Sequence, residues 1–242
     1  MAENRVTLVL GADSDMGHAI ISQLYGTIIA HTYAAPEKLK TLKCDGREII
    51  PIKGDMSSIE GIASFIESVK QTGFEIERIV HLPSAPATPQ KHKDFDPARF
   101  EREMNIGVVS AAMVTSAFVP AMAKRRYGRV VFMLSSYAFG TPPKFLAGYV
   151  MCKSALTGLM RSLAIEYAAR GVTVNGVAPS MTQTAFIGNL PEFSVEQSAA
   201  GNPTGRNALP TDIAPAFKLL LSDEAGYING AVVPVTGGEL ML

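Results

Sequence analysis

The sequence predicts an α/β fold: a doubly wound, parallel sheet of about seven strands flanked by helices, in one domain spanning residues 1–242. Two patterns predict it. Short β-branched apolar runs alternate along the chain with longer segments of helical periodicity. The runs are also apolar on both faces, as expected of strands covered on each side and joined by right-handed crossovers. A third observation fixes the polarity of the first unit. In "VTLVLGADSDMGHAI" an apolar run stops at Gly11, a short loop follows, and Gly17 opens a helical pattern. That is how a strand hands over to a helix N-terminus able to hold phosphate. A chain of 242 residues fits one well-filled α/β domain.

The elements follow in order. "RVTLVLG" reads as the first strand, with a helix from Met16 to Tyr25. "TIIAHT" is the second strand, and "PEKLKTL" begins a short polar helix. "EIIPIKGD" is the third strand, and the next segment places apolar residues at 59, 62, 66 and 69, a single helical stripe. "ERIVHLP" is the fourth strand, and residues 98–126 read as one long helix closed at Gly128. "GRVVFMLSS" is the fifth strand, residues 147–171 a second long helix, and "VTVNGVAP" the sixth strand. Residues 209–222 form a last helix before a final strand in "GAVVPVTGG". The stretch 181–209 breaks this rhythm, being rich in Pro, Gly and Asn and dotted with Phe186, Ile187, Leu190 and Phe193. Connections of such length in compact domains are usually functional, and this one is expected to be a substrate lid.

Composition narrows the function classes. The formal net charge is zero and charged residues are 18%, which gives no electrostatic basis for a nucleic-acid or anionic-membrane partner. No apolar run approaches the ~20 residues of a membrane span, and a strand pattern begins too early for a signal peptide. Cys44 and Cys152 form no Cys/His cluster, so neither a metal centre nor a disulfide framework is expected. A cytoplasmic location follows.

The chemistry concentrates near residue 150. "YVMCK" sets Tyr149 and Lys153 four apart, on one helix face. A phenol ionises near pH 10, and a neighbouring ammonium lowers that value toward useful proton transfer. "FMLSSYAFG" ends a strand in two serines thirteen and fourteen residues before the tyrosine, where a hydroxyl can hydrogen-bond a carbonyl oxygen held against it. Asn105 is an unusual residue for a helix interior.

With these motifs in order, the whole chain resembles the short-chain dehydrogenase/reductases, one-domain Rossmann-fold oxidoreductases. The likeness runs from the glycine loop at 11–17 through "GDM" at 54–56, Asn105, Ser136, Tyr149 and Lys153 to "NGVAPS", "NPTGRNALPTDIA" and "YINGAVVPVTGG". The resemblance implies NAD(P)-dependent interconversion of a secondary alcohol and a ketone, with a hydroxyacyl or ketoacyl thioester among the substrates it allows. Ser136 would polarise the substrate oxygen, Tyr149 would exchange the proton, Lys153 would lower the tyrosine's pKa and hold the nicotinamide ribose, and Asn105 would position a relay water. Ser135 would be strand-end packing. Cofactor contacts are implied at Gly11, Asp13, Ser14, Met16, Gly17, Thr32, Asp55, Met56, Pro83, Pro179, Thr182 and Thr184, besides Tyr149 and Lys153. The two long helices imply a homotetramer or a heteromer with a paralogue.

The departures fall on the cofactor side. The family's Thr-Gly-x-x-x-Gly-x-Gly stands here with Leu10 for the threonine and Asp15 for the middle glycine, adding bulk and charge at the closest backbone approach. "HLPS" at 81–84 replaces Asn-Asn-Ala-Gly, and Pro179-Ser180 replaces Pro-Gly. His81 is expected to fill an asparagine's place at a strand end. No acid ends the second strand, near Thr32, but Asp13 and Asp15 would repel a 2′-phosphate, which sets NAD slightly ahead of NADP. The alternative is a silent, cofactor-free subunit partnering an active paralogue. Met181, Phe186, Ile187, Leu190 and "PPKFL" at 142–146 imply an apolar substrate wall, which suits an acyl thioester, a polyketide-like ring or a steroid equally well.

Overall fold

Seven parallel strands form one sheet in the order β3-β2-β1-β4-β5-β6-β7 in a computed structural model that describes residues 5–34, 37, 39, 42 and 47–241. The strands are β1 (Val6–Leu10), β2 (Gly26–Thr32), β3 (Arg47–Lys53), β4 (Arg78–His81), β5 (Gly128–Met133), β6 (Val172–Pro179) and β7 (Val232–Val235). The central ones are buried along their length, which is why they read as continuous apolar runs instead of alternating ones. The polar helix expected from residue 36 falls largely outside the described residues.

Helices cover both faces. On one side α2 (Ile59–Gln71), α4 (Ser110–Arg125) and α5 (Ala147–Tyr167) bury Phe65, Val114, Met122 and Met160 against the sheet. On the other, α1 (Asp15–Ile21) and α7 (Pro210–Leu221) bury Ile20, Ile21, Phe217 and Leu220. Ser14 starts α1 by accepting a hydrogen bond from the Gly17 N–H at 3.0 Å, and Ser58 starts α2 in the same way. Between β6 and α7 lies α6 (Glu192–Gly201), a helix that the Pro- and Gly-rich surroundings concealed in the sequence.

The single long helix expected at 98–126 is interrupted. Helix α3 (Pro97–Met104) runs into a π turn at Asn105–Val109 before α4 begins, and the Ser110 N–H reaches back to the Asn105 carbonyl. Together Pro97–Arg125 is 29 residues, long and apolar enough by composition to cross a membrane, which the count of unbroken apolar runs missed; half of its most apolar window is buried inside the protein.

The strand order reverses between β1 and β4, so their carboxyl ends open a crevice beside the loop at 11–17. Everything that follows happens there.

Candidate active site

The crevice is an open cleft of about 580 Å³, lined by the ends of β1, β2, β4, β5 and β6 and roofed by residues 181–190. Its loop is built by two glycines with different tasks. Gly11 adopts φ +76°, a left-handed conformation that only glycine takes without cost. Gly17 is buried beneath the loop, where a Cβ would lie 2.5 Å from the Gly11 carbonyl and 2.6 Å from that of Ala12. Ser14 locks the turn by donating to the Gly11 carbonyl at 2.7 Å.

The two acids of the loop turn to protein backbone. Asp13 Oδ2 accepts from the N–H groups of Tyr33 at 3.1 Å and Ala34 at 3.2 Å, tying the loop to the end of β2. Asp15 Oδ2 accepts from the Ala185 N–H at 2.8 Å, across the cleft.

Of the residues implied to hold a cofactor, Gly11, Asp13, Ser14, Met16, Asp55, Met56, Pro83, Tyr149, Lys153, Pro179, Thr182 and Thr184 line the cleft. Thr32 does not. It is fully buried, with its hydroxyl unpartnered among the described residues, while its neighbours His31 and Tyr33 face the cleft. Side chains alternate along a strand, so a register judged one residue off selects the wrong face. His31 instead accepts the Gly11 N–H on Nδ1 at 3.0 Å and donates from Nε2 to the Gly54 carbonyl at 3.1 Å, and burial holds its pKa below the usual imidazole value. At Asp55 the Ser57 N–H donates to the carboxylate at 2.8 Å and depresses its pKa.

Tyr149 and Lys153 share the inner face of α5. The ammonium lies 5.6 Å from the centre of the tyrosine ring and donates to the Met133 carbonyl at 2.8 Å. Burial pushes Lys153 down to about 8. The phenol of Tyr149 is shifted upward, not downward: burial outweighs the hydrogen bond with Ser135 that pulls it back. Lys153 is expected from the sequence to lower that pKa; in the protein its ammonium bonds the end of β5 and the upward push of burial prevails.

The serine also differs from expectation. Ser135, extended at the strand end, lines the cleft together with Tyr149 and pulls the pKa of that phenol back down. Ser136 opens a 3₁₀ turn, and its Oγ is buried with no partner among the described residues. The spacing of thirteen thus picks the serine facing away. Tyr137, unremarked in the sequence, lines the cleft beside them, and burial, Glu239 and Tyr149 push its phenol up to about 12. Its only sequence signal was a position just after a strand-end serine.

Asn105 lies outside the lining, with its Nδ2 donating to the Ser57 carbonyl at 3.0 Å. His81 is 1% exposed beneath the site. Ser110 Oγ lies 2.6 Å from the Ile106 carbonyl, a contact that needs a proton between them, so the His81 Nε2–H donates to Ser110 at 2.8 Å. Burial, then Lys153, pushes this imidazole down to about 3.

A family model described as enoyl-(acyl carrier protein) reductase matches residues 14–239. A 3-oxoacyl-[acyl-carrier-protein] reductase of Pseudomonas aeruginosa is 31% identical over 246 residues, covering 99% of this chain and 98% of its own. The chain belongs to the short-chain dehydrogenase/reductase family. An acetoacetyl-CoA reductase of Allochromatium vinosum is 30% identical, with 98% of this chain and 99% of that one covered. Among solved structures, a protein assigned as an NAD(P)-dependent gluconate 5-dehydrogenase of Beutenbergia cavernae, with NADP bound, superposes with a TM-score of 0.90 at 28% identity, over 97% of this chain and 96% of that one. This chain is therefore an oxidoreductase of the short-chain dehydrogenase/reductase type.

Proposed function

We propose that this short-chain dehydrogenase/reductase interconverts a secondary alcohol and a ketone on a substrate with an apolar portion, with a 3-oxoacyl or 3-hydroxyacyl thioester as its substrate class. The observation that carries the reading is that Ser135, Tyr149 and Lys153 line the same cleft as the glycine loop. The named reductases among the relatives act on 3-oxoacyl thioesters, and they support an active enzyme over a silent subunit.

The cleft fits a dinucleotide: Gly11 leaves the loop backbone open to close approach, and Asp55 and Met56 wall the far end. A nicotinamide held there would supply or accept the hydride. Ser135 and Tyr149 hold the substrate oxygen between two hydroxyls, and the Tyr149 Oη gives its proton to that oxygen in reduction or takes it in oxidation. Lys153, fixed on Met133, keeps a positive charge beside the Tyr149 ring and would offer its remaining protons to the ribose of a bound nicotinamide nucleotide. Residues 181–209 form the lid, whose Phe186, Ile187 and Leu190 exclude water and contact the apolar part of the substrate. The protein works in the cytoplasm.

The test is turnover of acetoacetyl-CoA with NADH and with NADPH, followed by absorbance loss. Tyr149→Phe deletes the transferable proton and is expected to lower kcat by at least ~10²-fold with the fold intact; a variant with full activity would remove Tyr149 from the mechanism.

A further inference from the structure

Asp15 stands where the family pattern has a glycine, and its carboxylate is engaged with a backbone amide 170 positions away in the chain. The lid is anchored at its base, where the Gln183 N–H donates to the Ala208 carbonyl at 2.8 Å, the Ala208 N–H donates to the Met181 carbonyl at 3.0 Å, and Thr182 bridges Ala208. Its far part is held by Asn207, which donates to the Val195 carbonyl at 2.9 Å. Between them, residues 184–190 bond mostly to one another. Besides a 3.4 Å bond from the Thr184 hydroxyl to the Thr182 carbonyl within the lid, two hydrogen bonds among the described residues tie this stretch to the rest of the molecule: the Ala185 N–H to Asp15 at 2.8 Å, and a longer contact of 3.5 Å from Asn189 to Thr88. The same stretch lays Phe186 on the reacting tyrosine, with ring centres 5.9 Å apart and planes tilted by 47°.

We infer that Asp15 is a positioning residue that clasps residues 184–187 from the glycine loop and thereby sets the substrate wall that Phe186 forms over Tyr149. The inference rests on the redox reading above, since it assigns the wall to that reaction's substrate. The physical basis is a charge-assisted hydrogen bond, stronger than its neutral equivalent, made to a segment with few other anchors. Its cost falls on the opposite wall, because the side chain and charge sit where the loop would approach a dinucleotide most closely. The two effects have opposite signs in one variant. Removing the side chain should loosen the lid and weaken substrate, while dinucleotide binds at least as well.

The experiment compares wild type, Asp15→Ala and Asp15→Asn, the last keeping a neutral acceptor. Hydrogen exchange is followed on each free protein, and steady-state kinetics with acetoacetyl-CoA and NADH. In Asp15→Ala the peptide covering 184–190 is expected to exchange about fivefold faster, the size of one exposed hydrogen bond of ~1 kcal/mol, with the core strands unchanged. The KM for acetoacetyl-CoA should rise severalfold and kcat should fall less, while the dissociation constant for NADH stays level or drops. Asp15→Asn should recover most of both losses. Equal exchange of 184–190 in all three proteins would overturn the clasp. Faster exchange with an unchanged KM would overturn its role in the substrate wall. If wild type turns over neither direction of this reaction, the redox reading fails, and the exchange data still decide the clasp.

Discussion

Ser135 and Ser136 show how much one residue decides. Their hydroxyls are adjacent in sequence, yet one belongs to the cleft lining beside Tyr149 and the other is buried without a partner among the described residues. Ser135→Ala is therefore expected to lower kcat/KM by ~10²-fold, the usual effect of losing a donor to the reacting oxygen. Ser136→Ala deletes a buried hydroxyl that satisfies nothing, so activity should hold and the melting temperature should stay level or rise. Kinetics and thermal melts on the two variants check the assignment, and the reverse ranking would restore Ser136. Asp13 makes a second residue-scale prediction. Its carboxylate stands at the end of β2, on the side where the 2′ position of an adenosine ribose comes to lie. NAD(H) should bind more tightly than NADP(H), and Asp13→Asn should narrow the gap; isothermal titration of all four pairs measures it.

At the level of elements, the loop from β1 to α1 is as demanding as any helix. Gly17 is buried against the backbone that it must pass, so Gly17→Ala forces the loop outward. Overpacking of this kind costs ~1–3 kcal/mol, and the expected result is a lower urea midpoint together with weaker NADH binding. The sequence displayed this element well, since apolar run, glycine, cap and helix follow one another within a few residues. It displayed the π turn at Asn105–Val109 poorly. An inserted residue inside a helical pattern leaves the 3.6-residue period almost intact over short windows, so α3 and α4 read as one helix. Helix α6 was hidden for the opposite reason: it lacks a one-sided apolar face, and none of its residues is buried.

For the whole molecule, buried histidines set the acid limit. His81 is held near 3, below the ordinary imidazole value of about 6.5, and His31 is lowered as well. Between those values the unfolded chain binds a proton that the folded one refuses. Stability from His81 is thus fully present above about pH 6.5 and is lost as pH falls toward 3, by up to ~1.4 kcal/mol per pH unit. His81→Asn should flatten that part of a stability-against-pH curve measured by urea unfolding. Assembly is the second property of this scale. We propose a homotetramer built on the outer faces of α4 and α5, where Ile165 is 82% exposed and Met151 and Ala155 are exposed beside it. Ala111 and Thr115 of α4 are buried in the protomer's own core and are not part of that face. Light scattering on the purified chain tests this, and a stable monomer at micromolar concentration would exclude it.

The fold class, the strand–loop–helix polarity of the first unit and the pairing of Tyr149 with Lys153 were legible in local sequence, because periodicity, caps and i, i+4 spacing act over a few residues. Which serine faces the tyrosine, which side of β2 reaches the cleft and what the loop acids bind were decided only in three dimensions. A strand end can rotate a neighbour's side chain by half a turn at no change in spacing, and the partner of Asp15 lies 170 positions away, beyond any local pattern. Asp13 and Asp15, which look in the sequence like a bar to any anion, take up backbone N–H groups from two sides of the cleft. Their charge is met by donors that the rest of the chain had to fold to provide.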